Sequence, residues 1–232
     1  MVFSSPEFLF LYLPVTFLLY FMIPPKFLKW RNLVLFVTSL IFYGWGEPLY
    51  VFLMIFTILV DYIGGYFVDK YKESDKKRAK WVMIVTIVIN LGILGFFKYY
   101  DFFADTLRLI PGLGGIPRLG LNLPIGISFY TFQALSYVID VYRSDAKVQK
   151  NPVAFGTYVT LFPQLIAGPI VRYCDVDDML RERTESVALF ASGVRTFLAG
   201  LAKKIFLANV AGSMWEAYKI VQIGRASCRE RV

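Results

Sequence analysis

The sequence predicts an all-α, polytopic integral membrane protein, a helical bundle that crosses the bilayer several times. Three observations predict it. Apolar residues fall in long runs rather than at amphipathic spacing, and a membrane-crossing helix needs about 20 such residues. Hydrophobic residues make up 57% and charged residues 18% of the 232, whereas a soluble domain is about 25% charged. Lys and Arg gather in short segments between the apolar runs, as in the cytoplasmic loops of membrane proteins. A soluble protein with an apolar core is set aside on these grounds.

The first span is expected from about Phe8 to Ile23, with Pro14 tolerated inside it because neighbouring helices can satisfy the freed carbonyl. A basic loop with Lys26, Lys29 and Arg31 follows, then a short second span, Leu33 to Tyr43, ended by GWGEP. The third span covers about Leu49 to Val68. A charged loop, Asp69 to Lys80, precedes the fourth span, Trp81 to Phe97. Both basic loops belong in the cytoplasm and the loop holding Glu47 outside, so the N-terminus is expected outside.

Beyond Phe97 the pattern changes. Lys98 to Ile110 reads as a separate interfacial helix, and Pro111 to Pro124 as a loop, since Gly and Pro at that density do not sustain a helix. The apolar segments Ile125 to Tyr142 and Val153 to Val171 are interrupted by Gly126, Gly156, Pro163, Gly168 and Pro169. Broken helices at membrane depth are tolerated only where the backbone is buried in protein or lines a cavity. Val187 to Ala211 forms a last helical stretch.

The formal charge of +8 does not indicate nucleic acid. The largest basic cluster, Lys70 to Lys80, is interleaved with Glu73 and Asp75 and lies between spans. Cys174 and Cys228 make neither a disulfide framework nor a metal spacing. The chain has no histidine, so neither a conventional zinc site nor a Ser–His pair is expected. No metal ligands are assigned.

The last residues break with what precedes them. IGRASCRERV, Ile223 to Val232, is polar and basic. It equals one translated frame of a widely used short-read sequencing adapter, whose next codon is a stop. Residues 222–232 are therefore expected to be adapter translation, and residues 1–221 the first part of a longer transmembrane domain.

Six residues are candidates for lining a passage or meeting an anion: Gln133, Tyr137, Asp140, Arg143, Gln164 and Arg172. The first four recur at spacings of three and four, which puts them on one helix face. They read either as the polar wall of a substrate passage or as an Asp140–Arg143 pair at the membrane surface. PQLIAGPIVRY, Pro163 to Tyr173, predicts a kinked or re-entrant segment. Its Arg172 either meets a phosphate or carboxylate or anchors the segment to headgroups. Asp61 is expected to reach interfacial water rather than another helix.

Several blocks taken in order resemble the membrane-bound O-acyltransferase (MBOAT) family, in its alginate O-acetyltransferase-like branch: FYGWGEPLY (Phe42 to Tyr50), LPIGISFYTFQALSYVIDVYR (Leu123 to Arg143), FPQLIAGPIVRY (Phe162 to Tyr173) and GLAKKIFLANV (Gly200 to Val210). The resemblance covers most of Met1 to about Tyr218 and implies a truncated MBOAT-type helical bundle enclosing a passage. It implies acetyl-CoA as the acyl donor, with no bound cofactor. It also implies a partner of the extracytoplasmic SGNH-type acetyltransferase class, an exported polysaccharide such as alginate as acceptor, and the bacterial inner membrane as location. The family's catalytic histidine would lie downstream, so no catalytic residue is assigned here. Two alternatives stay open. One is D-alanyl transfer to teichoic acid, within the same family. The other is a transporter or flippase, although such proteins are built from two matching halves and the interruptions here cluster after Gly92.

Overall fold

The computed structural model describes residues 3–109, 115, 117–165, 168 and 171–229, with side chains described as far as residue 219. It is all-α among the described residues, as the sequence predicts. Contacts divide the chain into two units, residues 10–183 and residues 2–9 with 184–232, taken here in turn.

In the first unit, helix α1 (Leu13–Met22) continues from a π-helical turn at Phe8–Tyr12. Pro24 and Pro25 then stop the chain, because proline has no N–H to give the preceding turn. After a 3₁₀ turn at Pro25–Phe27 the backbone re-enters helix as α2 (Leu28–Gly46), bent 106° from the first segment. The expected basic loop is therefore largely helical. Arg31 is buried, donates from Nε to the Ile23 carbonyl at 2.8 Å and lies over the Tyr20 ring. That carbonyl is one of those a helix end leaves without an intrahelical partner.

Helices α3 (Tyr50–Lys72) and α4 (Lys76–Arg108) form a tight antiparallel hairpin. Asp75 starts α4 by accepting from the Lys77 and Arg78 N–H groups at 3.1 Å, an N-cap that satisfies two orphan donors. The fourth span and the expected interfacial helix prove to be one 33-residue helix. Lys98 interrupts hydrophobicity, not helix formation, and from Phe96 to Arg108 neither glycine nor proline offers a break. At 1.5 Å per residue α4 is about 50 Å long, against a hydrocarbon core of about 30 Å.

Helix α5 (Ile127–Arg143) packs on both α3 and α4. It begins after Gly126, whose φ of 79° lies in the left-handed region that glycine adopts without strain. Helix α6 (Pro152–Thr160) packs on α2, with Asn151 as N-cap and proline at its first position. It ends at Leu161 and is followed by one turn, α7 (Phe162–Leu165). The expected segment Val153–Val171 is thus broken, as its prolines require. Helix α8 (Tyr173–Arg181), absent from the sequence reading, closes the unit against α5 and α6.

The second unit contains α9 (Val187–Lys203), capped by Ser186, a π-helical turn at Lys204–Ala208, and α10 (Asn209–Arg229). Among the described residues, α3, α4 and Val187–Lys219 are long and apolar enough to cross a membrane, and the bent pair adds a fourth crossing if it counts as one span. The expected change of character at residue 222 falls beyond the described side chains.

Candidate functional site: a braced helix break

The break between α6 and α7 organises most of the candidate residues. In a continuous helix the Tyr158 carbonyl would accept from the N–H of residue 162. That N–H instead donates to Ser39 Oγ on α2 at 3.2 Å. The next donor is missing altogether, because residue 163 is proline. Two side-chain amides take over. Gln133 Nε2 from α5 and Gln164 Nε2 from α7 each donate to the Tyr158 carbonyl at 2.8 Å. A buried carbonyl left without donors would cost roughly 1–3 kcal/mol, and two donors remove that penalty.

The Tyr158 side chain ties the same three segments. Its hydroxyl lies 2.8 Å from the Val171 carbonyl and 3.2 Å from that of Gln133. Tyr158 packs edge-on against Tyr173, and Tyr137 packs against both Phe155 and Tyr173, with centroids 4.6–5.2 Å apart. Such aromatic pairs add about 0.5–1.5 kcal/mol each beyond the area they bury.

Tyr137 enters a polar chain along this cluster. Its hydroxyl accepts from the Gln149 N–H at 3.1 Å, and Gln149 Nε2 donates to the Tyr173 hydroxyl at 3.1 Å. That hydroxyl donates to Asp177 at 2.6 Å, and Arg181 Nε donates to the same oxygen at 2.9 Å. Asp177 in turn holds the Arg181 guanidinium above its ordinary range.

Asp140 is buried on α5, but its partner is not Arg143. Arg172 reaches it at 2.9 Å, while Arg143 points outward and pairs with Asp145 at 3.2 Å. Arg143 thus leaves the face that Gln133, Tyr137 and Asp140 share, because α5 ends there and Ser144 turns the chain into a left-handed conformation (φ 65°). The Arg172 side chain is 52% exposed. Asp140, by hydrogen bond and by charge, raises its pKa further. Arg172 is therefore a permanent cation, half spent on Asp140 and half open. Desolvation pushes the thiol of Cys174, beside it, up, against the lowering pull of the Arg172 charge.

Asp61 departs from expectation. It is fully buried on α3 and accepts from Asn90 Nδ2 of α4 at 2.9 Å, so it pairs with another helix rather than reaching water. The neighbouring Gly65 admits the fully buried Tyr137 ring: a Cβ there would lie 2.4 Å from Tyr137 Cε1.

The structure thus brings together Gln133, Tyr137, Asp140, Gln164 and Arg172, and leaves Arg143 outside. The sequence reading missed Tyr158, Gln149, Tyr173 and Asp177. Pro163 signalled a helix break close to Tyr158, but the carbonyl that it deprives is that of Val159; the Tyr158 carbonyl is freed because the N–H of residue 162 turns to Ser39. The other three are joined through contacts that spacing does not encode.

This is a polytopic helical membrane protein whose centre is a deliberately interrupted helix, fastened by side-chain amides. Its relatives are named as probable alginate O-acetylases and a peptidoglycan O-acetyltransferase. The chain is 38% identical over 217 residues to the probable alginate O-acetylase AlgI of Pseudomonas aeruginosa, covering 92% of this chain and 41% of that protein. It is 38% identical to the same-named protein of Azotobacter vinelandii, covering 90% and 42%. A peptidoglycan O-acetyltransferase of Helicobacter pylori is 31% identical across 90% of this chain and 45% of its own length. The resemblance to the alginate O-acetyltransferase branch is borne out: the chain is homologous to these proteins along nine-tenths of its length. It spans about two-fifths of theirs. No family model matches the chain, and no solved structure does.

Proposed function

We propose that this chain is part of a membrane O-acyltransferase that passes an acetyl group from cytoplasmic acetyl-CoA to an exported polysaccharide. The observation that carries the reading is the run of homologues named alginate O-acetylases. Transfer breaks the thioester C–S bond and forms a C–O ester on a sugar hydroxyl, whose proton must go to a base. The chain contains no histidine to serve as that base. What it supplies under this reading is the scaffold, with its broken helix at membrane depth and the Asp140–Arg172 pair beside it. An extracytoplasmic SGNH-type partner would complete delivery, in the inner membrane of a bacterium. The same reading has the N-terminus outside; what supports it is the gathering of Lys26, Lys29, Lys72, Lys147 and Lys150 around Gln149 and Arg181, as on a cytoplasmic face.

The peptidoglycan O-acetyltransferase relative favours a second acceptor, peptidoglycan. Membranes carrying the whole coding sequence, fed acetyl-labelled CoA, test both. Alkali-labile label should appear in alginate or in peptidoglycan. Label entering only from a D-alanyl carrier protein would sink the acetyl reading in favour of teichoic acid modification.

A further inference from the structure

We propose that the cleft at the start of α2 is a binding site for the headgroup of an anionic glycerophospholipid. The cleft has a volume of about 460 Å³ and runs between the first turn of α2, the Gln149–Asn151 segment and the end of α8. Its lining holds three cations, Lys26, Lys29 and Arg181, and no carboxylate. The neighbouring cleft, about 500 Å³, shares Gln149 and Arg181 but includes Asp69, which forms an ion pair with Lys72 at 2.9 Å. The two clefts differ in what their charges are doing. In the second, a lysine is already satisfied within the protein. In the first, Lys26 and Lys29 are both exposed and the lining holds no acid to engage them, which leaves them open to an external anion.

The apolar half of the cleft selects the kind of anion. Phe27 and Trp30 also line it and are 54% and 60% exposed. Exposed aromatics beside lysines at a helix end are the composition of a membrane interface, where rings sit at headgroup level and ammonium groups reach lipid phosphates. A soluble phosphate uses the lysines but gains nothing from Phe27 and Trp30. A lipid uses both, with its phosphate on Lys26 and Lys29 and its acyl chains along the rings. Arg181, the third cation of the lining, is fastened by Asp177 at 2.9 Å.

The site is independent of acyl transfer and is tested without it. The chain is purified in lipid nanodiscs and the lipids that remain bound are counted by native mass spectrometry. Phosphatidylglycerol should be retained over phosphatidylcholine, and 10 mM inorganic pyrophosphate should not displace it. With each basic residue near a lipid phosphate worth about fivefold in affinity, Lys26→Ala with Lys29→Ala should weaken retention about 25-fold. Both lysines are exposed, so folding is not at stake, and an unchanged unfolding temperature verifies this. Lys77→Ala with Lys80→Ala, equally exposed but outside the cleft, should leave retention unchanged. Equal retention of the two lipids, equal loss in the control pair, or displacement by pyrophosphate would each overturn the site. The last outcome would identify a pocket for a soluble phosphate.

Discussion

The α3–α4 hairpin and the α5–α7 region solve one problem in opposite ways. In the hairpin two unbroken helices satisfy their own backbones, and the polar pair between them, Asp61 and Asn90, is side chain to side chain. In α5–α7 the backbone is broken, and side chains are spent on repairing it, with Gln133 and Gln164 both aimed at the Tyr158 carbonyl. Polar residues in apolar segments therefore carry two meanings here. One kind matches helices to each other, and the other completes a helix that proline has cut.

That comparison can be broken at several points. The largest effect is expected where the hairpin meets the braced region, at Gly65. Gly65→Ala drives a methyl into the buried Tyr137 ring and should cost about 3 kcal/mol, read as a fall in unfolding temperature in detergent. Gly92→Ala on α4, where a Cβ meets nothing within 4 Å, should instead be neutral or stabilise by up to about 1 kcal/mol. If both glycines behave alike, the close approach at Gly65 carries no weight.

The brace comes next. Gln133→Leu or Gln164→Leu alone leaves the carbonyl one donor and should cost under about 1 kcal/mol, whereas the double change should cost about 2 kcal/mol more than the sum. Additive losses would mean that the two amides do not share an acceptor. Asn90→Leu, which strands Asp61, should cost about 1 kcal/mol, the scale of hydrogen bonds between membrane helices, and Asp61→Leu added to it should recover part of the loss. The smallest effect belongs to Arg143→Ala, within about 0.5 kcal/mol, since its pairing with Asp145 is on the surface. A larger loss there would restore Arg143 to the group that the structure separates it from. Finally, the chain by itself should transfer no acetyl group from labelled acetyl-CoA, and any turnover would show that a base other than histidine suffices.

What could be read from the sequence was what depends on neighbours along the chain. The apolar runs located α1 to α4, and Pro163 announced the break before α7. The polar face of α5 was legible for Gln133, Tyr137 and Asp140. Partners were not. Asp140 sits three residues from Arg143, which suggested a local pair, yet it binds Arg172 thirty-two positions away because α8 follows the break and turns Arg172 back toward α5. Asp61 was assigned to water because its span, read alone, shows no partner, and Asn90 becomes one only through the register of the hairpin. Lys98 gave the opposite error: a charge marked a boundary in hydropathy that the backbone of α4 ignores.

The short turn between α3 and α4 has a consequence for biogenesis. Asp61 and Asn90 lie 29 positions apart and are joined by a capped turn of three residues, so the loop to be closed is small. An acidic side chain entering the bilayer with α3 meets its partner as soon as α4 has been made. The hairpin pair thus closes earlier along the chain than the contacts of α5–α7, since the Tyr158 carbonyl waits for Gln164, and Asp140 for Arg172. The order of the chain places a finished pair of helices ahead of the seam that Gln164 and Arg172 fasten.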